Sequence, residues 1–395
     1  MTEPAALSTP LLPPPNLFRS FWIGGFECST HRNHVDQRLD MIAGVQHDAQ
    51  ADTDYALLPT EKMRTARDGL RWHLIEQERG RYDWSSFLPM LEAAGRQGVQ
   101  VIWDLCHYGW PDFLDLLSPE FPDRFARFAE AAASVVRSHA GDVPFYAPVN
   151  EISFFAWAAA RGVMFPHAEG KDVEIKRQLV RAAVGAMQAI RSVDPRARFV
   201  FPEPSIHVLP QPGEERQTEE RARIYSESQF EAWDMIAGHR NPELGGKPEY
   251  LDILGANFYP TNEWNVNDGK RLWWNQRPRD PRWRPLNLLL FDIWEHYHLP
   301  IFLAETSEVG IGRGPWIEDV GKEIVLALQN GVPVSGVCLY PIMDRYDWGN
   351  PQHWHNSGLW DYTRETSGVL KRVLNSPYAE SLRAVQAELA SFGCL

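Results

Sequence analysis

The chain has 395 residues, of which 44% are hydrophobic and 23% charged, a globular balance that excludes intrinsic disorder. Its net charge of −13, from 39 basic and 52 acidic side chains, argues against a nucleic-acid partner because an acidic surface repels phosphates. No stretch approaches the roughly 18 uninterrupted apolar residues of a membrane helix, so no membrane partner is expected.

Residues 1–20 are predicted to form a Pro-rich leader, followed by a single domain over residues 21–395. The leader has neither the basic start nor the apolar centre of a signal peptide, so a cytoplasmic location is expected. The four cysteines are scattered, without CxxC spacing or a Cys-His cluster, which indicates reduced thiols. The 16 Trp, 12 Tyr and 19 Phe residues fit either a packed core or a surface that stacks on sugars.

In chain order, short β-rich runs alternate with helical stretches. Strands are predicted at residues 21–27, 69–75, 99–108, 145–151, 198–204, 251–260, 300–307 and 334–342. Helices are predicted, among other places, at residues 123–140, 172–193, 218–237 and 314–330. Strands that alternate with helices run parallel, so the pattern predicts an α/β fold, either a closed barrel or a doubly wound sheet.

Two features favour the barrel. No turn from a strand to a helix carries a Gly-rich phosphate-binding motif, which leaves a dinucleotide-binding fold without support. Polar residues end nearly every predicted strand, and in a barrel those ends meet in one mouth. We therefore predict a single (β/α)₈ TIM barrel with long loops over its C-terminal face. The loop at residues 261–282, which is rich in tryptophan, either walls a pocket or packs on the surface.

Two glutamates carry the sharpest functional signal. Glu151 ends the predicted fourth strand and Glu305 the seventh, so they should face each other across the mouth. Paired carboxyls suit glycoside cleavage, in which one protonates the leaving oxygen and the other meets the anomeric carbon. A separation of about 5–5.5 Å indicates retention of configuration, and about 6.5–9.5 Å indicates inversion.

Four segments resemble motifs of one enzyme family. They are HYGWPDFL (107–114), similar to His-Trp-Asp-Leu-Pro; PVNEI (148–152), similar to Asn-Glu-Pro; LDILGANFYP (251–260), similar to Gly-x-Asn-Tyr-Tyr; and YPIMDRYDW (340–348), similar to Trp-Ser-Leu-Leu-Asp-Asn-Phe-Glu-Trp. Over about residues 21–362 the chain thus resembles the retaining (β/α)₈ glycosidases of clan A, and among them glycoside hydrolase family 1, the β-glucosidases.

The resemblance implies a double displacement with Glu151 as acid/base and Glu305 as nucleophile. It implies that Arg71 steadies Glu305 and that Tyr259 donates a hydrogen bond to it. The other residues implied to bind the sugar or support the site are Glu27, His107, Asn150, Asn257, Tyr340, Asp347 and Trp348. The implied substrate is a small carbohydrate or glycoside, and the chemistry requires neither a cofactor nor a metal ion.

The chain also departs from the family. The Thr-Glu-Asn-Gly usual around the nucleophile is replaced by Ala-Glu-Thr-Ser at residues 304–307. Asp347 stands where a glutamate normally grips two sugar hydroxyls, Arg345 replaces an asparagine, and Tyr108 stands where Trp is usual. These departures leave the identity of the sugar open.

Several alternatives remain. The same site would serve a transglycosylase, and a noncatalytic carbohydrate-binding barrel is the alternative outside enzymes. Glu27, Glu203 and Glu263 are further acids near strand ends that could act in place of Glu151. The histidine clusters at residues 31–34 and 353–355 lie in predicted loops, which disfavours a metal-dependent hydrolase. A homo-oligomer is compatible with the sequence.

Overall fold

Eight parallel strands close into a barrel in the computed structural model, which describes residues 17–394. The strands of this part of the chain are β1 (Trp22–Gly25), β2 (Thr65–Gly69), β3 (Gln100–Asp104), β4 (Phe145–Ala147), β5 (Arg198–Pro204), β6 (His207–Leu209), β7 (Ile253–Asn257), β8 (Glu263–Asn265), β9 (Ile301–Thr306), β10 (Val334–Leu339), β11 (Trp360–Arg364) and β12 (Leu370–Leu374). The barrel order is β1, β2, β3, β4, β5, β7, β9 and β10, and β10 pairs with β1 to close it. The predicted (β/α)₈ barrel is confirmed.

Helices connect the barrel strands and cover the outside of the barrel. They are α1 (Met41–Gly44), α2 (His47–Leu57), α3 (Trp72–Ile75), α4 (Leu88–Gln97), α5 (Glu120–His139), α6 (Ile152–Ala160), α7 (Asp172–Val193), α8 (Arg216–Glu227), α9 (Glu231–Ile236), α10 (Leu286–Tyr297), α11 (Arg313–Gln329) and α12 (Ser376–Ala390). The long helices are amphipathic. In α5, for example, Phe121, Phe125 and Phe128 are buried at the three- to four-residue spacing of one helix face.

The barrel interior changes from apolar to polar along the strands. Near the N-terminal ends it is filled by large apolar side chains, and Phe18 closes this end, its ring centroid 5.3 Å from that of Phe145 and 5.2 Å from that of Phe302. Nearer the C-terminal ends, Arg67 and Asp104 are buried inside the barrel and form an ion pair. The packed lower part thus supports a polar mouth, the usual location of the active site in this fold.

The position predicted for the second strand is wrong. The barrel strand is β2, Thr65–Gly69, whereas much of the predicted strand at residues 69–75 forms the short helix α3. The sequence of β2, TARDG, lacks the apolar run that marks a buried parallel strand, because ion pairs and hydrogen bonds replace apolar packing at Arg67 and Asp68. The apolar residues that suggested a strand instead bury α3, where Trp72 stacks on Phe128 at 5.0 Å.

The other predicted elements fall close to the observed ones. β5 and α7 have the predicted bounds, whereas the helix predicted at residues 218–237 is divided into α8 and α9 by a 3₁₀ turn, Ser228–Phe230. Of the predicted leader, residues 1–16 lie outside the described residues. The four cysteines, all among those described, are buried and unpaired. No helix within residues 17–394 is long and apolar enough to cross a membrane.

The tryptophan-rich loop is largely packed. β6 and β8 form a small parallel sheet that joins the loops after β5 and β7. Trp274 and Trp283 are buried, and Trp274 donates through Nε1 to Glu308 Oε2 at 2.9 Å. Trp273 is 47% exposed. The buried tryptophans agree with packing, and Trp273 is a large apolar side chain of this loop that solvent reaches.

Candidate active site

Glu305 lies near the end of β9 with each carboxylate oxygen bound by a different donor. Its side chain is buried, Arg67 Nη1 donates to Oε1 at 2.7 Å, and the Tyr259 hydroxyl donates to Oε2 at 2.8 Å. Tyr259 thus makes the contact expected of it. The guanidinium compensates the charge of the buried carboxylate, and the two donors fix its orientation.

The arginine beside Glu305 is Arg67 and not Arg71, which corrects the predicted contact. Arg71 follows β2 and points away from Glu305: Nη1 contacts Asp48 Oδ2 of α2 at 2.8 Å, and Nη2 donates to the Ser86 carbonyl. Arg67 lies within β2 and, in addition to Glu305, binds Asp104 through Nε at 3.0 Å and Nη2 at 2.7 Å. The error follows from the misplaced second strand, since only a residue inside β2 reaches the barrel interior.

Glu151 occupies the turn between β4 and α6 and has only uncharged donors at its oxygens. Its backbone is left-handed, with φ 42° and ψ 61°, and α6 begins at the next residue. The Tyr108 hydroxyl donates to Oε2 at 2.7 Å, and Asn257 Nδ2 donates to Oε1 at 2.9 Å. Burial, and after it the charge of Glu305, raises the pKa of Glu151 to about 8. These surroundings favour the protonated carboxyl group.

The two glutamates lie at the same barrel mouth. Asn257 ends β7 and pairs in register with Glu305 on β9, while its side-chain amide donates to Glu151. Glu305 thus neighbours a residue that itself touches Glu151. The separation of about 5–5.5 Å between the carboxyl groups, which retention requires, stays a prediction.

A buried hydrogen-bond network extends from Arg67, the partner of Glu305, to Asn150, His107 and Asp104. Arg67 Nη2 donates to Asn150 Oδ1 at 2.5 Å. Asn150 Nδ2 lies 3.0 Å from His107 Nε2, and His107 Nδ1 lies 2.9 Å from Asp104 Oδ2. The predicted sugar ligands Asn150 and His107 are thus brought together at the mouth, where these polar atoms bind each other and the ion pair beneath them.

Trp348 and Tyr340 form part of the aromatic wall of the mouth. Trp348 is half-buried, its ring lies edge-on to Tyr108 at 6.1 Å, and its Nε1 has no hydrogen-bond partner among the described residues. Tyr340 is buried, with its ring 5.1 Å from the Arg67 guanidinium. The Trp348 Nε1 is buried, and the Arg345 guanidinium lies 5.4 Å from the centre of its ring, so any stacking on a sugar would use the exposed part of the ring.

Glu27 and Asp347 already have partners. The Glu27 carboxylate accepts from the Ser29 backbone N–H at 3.0 Å and lies 3.4 Å from Arg345 Nε. Burial alone would raise the pKa of Glu27, but Arg345 and the other nearby donors bring it below the usual value. Asp347 Oδ1 accepts the backbone N–H groups of Gly349 and Asn350, so this oxygen stabilises its own turn. The binding of sugar by either carboxylate stays a prediction.

The further acids have structural partners of their own. Glu203 is buried and accepts the Ser153 backbone N–H at the start of α6, at 3.1 Å from Oε2. Burial raises the pKa of Glu203 to about 7. Glu263 binds His207 Nδ1 at 2.8 Å and the backbone N–H of Arg284 at 2.9 Å. Both carboxylates therefore already bind partners, and the partner of Glu203 is Ser153, two residues after Glu151.

One cluster has the donor types of a metal site. Within residues 17–394, Cys28, Asp104 and His107 bring ligand-type atoms within 4.8 Å of one another. In this cluster Asp104 is already paired with Arg67, and Cys28 Sγ lies 3.3 Å from His107 Nδ1. A guanidinium bound to the same carboxylate opposes a second cation there. The two predicted histidine clusters contribute no residue to it.

Arg67, Asp104 and Tyr108 are the site residues that the sequence prediction missed. Arg67 could have been found from the Arg67-Asp68-Gly69 sequence just before an apolar segment, had it been interpreted as a strand end. Asp104 ends β3, inside the strand predicted at residues 99–108, and its role depends on Arg67. Tyr108 stands out only as a departure from the family motif, and its contact with Glu151 requires the turn after β3 to be known.

Comparison with solved structures shows which known proteins share this fold. The family 1 β-glucosidase from Thermotoga maritima has a TM-score of 0.72 at 14% identity, over 94% of this chain and 98% of that one. The β-glycosidase BGL167 has a TM-score of 0.67 at 18% identity, over 87% of each chain. A hyperthermophilic β-glucosidase mutant, described as dodecameric in the crystal, has a TM-score of 0.71 at 14% identity, over 93% and 99%.

The sequence itself matches no family profile and no curated protein. The resemblance to family 1 is therefore confirmed at the level of the fold, which extends over nearly the whole chain. At 14–18% identity these structures show the shared fold alone.

Proposed function

We propose that the protein is a retaining glycoside hydrolase that cleaves a β-O-glycosidic bond. The observation that carries this proposal is the pair of buried glutamates in contrasting surroundings. Glu305 is held by a guanidinium and a phenol, whereas Glu151 has uncharged donors and a pKa raised to about 8. A double displacement needs this difference, because one carboxyl group must attack while the other still holds a proton.

In the first step, the Glu305 carboxylate attacks the anomeric carbon and forms an ester bond to it. The bond from that carbon to the leaving oxygen breaks, and the Glu151 proton passes to this oxygen, so the aglycone departs as an alcohol. In the second step, Glu151, now ionised, takes a proton from water as the water oxygen attacks the same carbon. Glu305 is released, and two inversions give net retention.

The mouth favours a small glycoside as substrate. Trp348 offers a half-buried indole ring edge-on to Tyr108, whose hydroxyl binds Glu151, and such a ring suits stacking on a sugar. Solved structures with the same fold are β-glucosidases and a β-glycosidase, which supports a β-linked sugar. We propose no cofactor and no metal ion in this reaction. The cytoplasmic location and the single domain stay predictions.

The experiment that tests the proposal is covalent trapping. A 2-deoxy-2-fluoro glycoside with a good leaving group slows both steps, so the glycosyl-enzyme accumulates. Peptide mapping should find the label in the peptide that contains residues 300–307, on Glu305. Glu305→Gly should be inactive and should regain turnover with azide, giving an α-glycosyl azide from a β-glycoside. The matched control Glu308→Gly, three residues further, should keep its activity and take the label.

Two outcomes would contradict the proposal. Label on Glu203 or Glu263, or wild-type rates for Glu305→Gly, would mean that another carboxylate attacks. If no nitrophenyl α- or β-glycoside were hydrolysed or trapped while sugars still bound, the noncatalytic carbohydrate-binding barrel would replace the enzyme.

A further inference from the structure

Tyr108 has no part in the proposed mechanism, yet its hydroxyl touches Glu151. The residue follows β3 in a left-handed backbone conformation, with φ 67°, and is 3% exposed. Its ring stacks on Phe155 of α6 at 5.4 Å and lies edge-on to His107 at 4.7 Å. Packing on these sides leaves the ring no room to swing, so the hydroxyl is held at 2.7 Å from Glu151 Oε2.

The direction of each hydrogen bond at this hydroxyl follows from Arg67. A guanidinium only donates, so the Asn150 atom that faces Arg67 Nη2 at 2.5 Å must be the carbonyl oxygen. The Asn150 NH₂ group then donates to His107 Nε2 and, at 2.9 Å, to the Tyr108 oxygen. The phenolic proton is thereby directed to Glu151 Oε2.

We propose that Tyr108 is a positioning residue of Glu151 that holds Oε2 as an acceptor and leaves the transferable proton on Oε1. This inference rests on the proposed function, because it concerns the acid/base step. Tyr108 donates to Oε2 at 2.7 Å and the Asn257 amide donates to Oε1 at 2.9 Å, and a phenol is a more acidic donor than an amide. The better acceptor, the carbonyl oxygen of the protonated group, pairs with the stronger donor, so Oε1 carries the proton toward the leaving group.

The bond also sets the balance between the two protonation states of Glu151. The charged and titratable groups that act on this carboxyl are Glu305 from β9, Glu203 from β5 and Tyr108 itself. Burial and the two glutamates favour the protonated form, whereas donation from Tyr108 and Asn257 favours the ionised one. Removing the phenol should therefore raise the pKa of Glu151 above about 8.

The test is the pH dependence of kcat/KM for Tyr108→Phe. Its basic limb should move up by about one pH unit, because a hydrogen bond to the charged form is lost. Its kcat should fall about tenfold for aryl glycosides with poor leaving groups and little for dinitrophenyl glycosides, which need no proton. The matched control is Tyr146→Phe, since the buried Tyr146 hydroxyl has no hydrogen-bond partner among the described residues. A merely structural effect would lower the rate of both substrates without moving the limb.

A second variant keeps the test decisive if Tyr108→Phe does not fold. With 3-fluorotyrosine in place of Tyr108, the phenol is a stronger donor, so the basic limb should move to lower pH. An unmoved limb in a folded variant of either kind overturns the inference. Glu151→Gln separates this failure from that of the proposed function. If Glu151→Gln loses the limb and the Tyr108 variants leave it in place, only the role of Tyr108 falls; if Glu151→Gln keeps the limb, the acid/base itself is wrong.

Discussion

Arg67 makes the contact with Glu305 that was expected of Arg71, and the two arginines can be compared directly. Arg67→Lys should lower kcat about 100-fold, because one ammonium cannot reach Glu305, Asp104 and Asn150 with the fixed geometry of a guanidinium. Arg71→Lys should stay within about twofold of wild type, since its partners are Asp48 of α2 and the Ser86 backbone carbonyl, outside the site. Steady-state rates on a nitrophenyl glycoside, with melting curves for folding, measure both. Equal losses in the two variants would contradict the reassignment.

Site residues could be predicted from the sequence where a titratable residue directly follows an apolar run that forms a strand. Glu151 and Glu305 follow such runs, and so their shared mouth was found. Arg67 could not be found in this way, because a buried charged residue satisfied by Asp104 and Glu305 does not produce an apolar pattern. Asp347 is expected to bind sugar because of its motif position, and its Oδ1 accepts from Gly349 and Asn350 while Oδ2 lies 3.8 Å from His355 Nε2. A motif gives a residue type, and only the local turn decides where the carboxylate oxygens lie.

At the scale of elements, α6 holds Glu151 in place, and Glu203 holds α6. Glu203→Ala should lower the free energy of unfolding by about 1–2 kcal/mol, because the Ser153 backbone N–H loses its acceptor at the start of the helix. The kcat should also fall, since Glu151 directly precedes this helix. Glu203→Gln keeps an oxygen acceptor and should retain stability and most activity. Urea unfolding and the pH profile of kcat/KM measure these effects.

The pH profile of Glu203→Gln also decides between two roles. With Glu151 as the acid, the basic limb should remain in Glu203→Gln, because glutamine mimics the neutral form of a buried carboxyl. A lost limb would show that Glu203, whose pKa burial raises to about 7, supplies the proton instead.

The predicted bounds of helices and strands agree best where a residue such as proline ends the element. α7 ends at Val193, ahead of Asp194 and Pro195, because the residue before a proline avoids the helical region. β2 was misplaced because TARDG lacks apolar periodicity, whereas the apolar residues of α3 imitate a strand. α3 has only four residues, about one helical turn, which is too short for helical periodicity to be recognised in the sequence. The boundary between α8 and α9 was missed for a related reason, since the 3₁₀ turn between them continues the helical pattern.

At the scale of the whole molecule, a buried charge cluster connects the antiparallel pair of strands β11 and β12 to the barrel. His47 of α2 contacts Asp54 Oδ2 through Nδ1 and Asp68 Oδ2 through Nε2, both at 2.8 Å. Asp54 is bound in turn by Arg372 of β12 through Nε at 2.5 Å and Nη2 at 2.7 Å. The cluster joins segments more than 300 residues apart, from Asp54 to Arg372. Because both ring nitrogens of His47 face carboxylates, the imidazolium form is the one that satisfies the site.

This cluster predicts how global stability depends on pH. Burial alone would lower the pKa of His47, but Asp68 and Asp54 outweigh it and raise the pKa to about 9. The unfolded value is about 6.5, so the folded state binds the proton more tightly. The stabilisation is fully present below about pH 6.5 and is lost as pH rises through about 9, and the difference between the two pKa values corresponds to about 3 kcal/mol. His47→Gln should therefore be much less stable than wild type at pH 6, and the difference in unfolding free energy should narrow toward pH 9.5.

Urea-unfolding free energies across this pH range measure that difference. The matched control is the exposed His139→Gln, whose curve should follow that of wild type. Parallel curves for His47→Gln and wild type would mean that His47 does not hold the extra proton, and the cluster would then stabilise the fold through hydrogen bonds to a neutral ring.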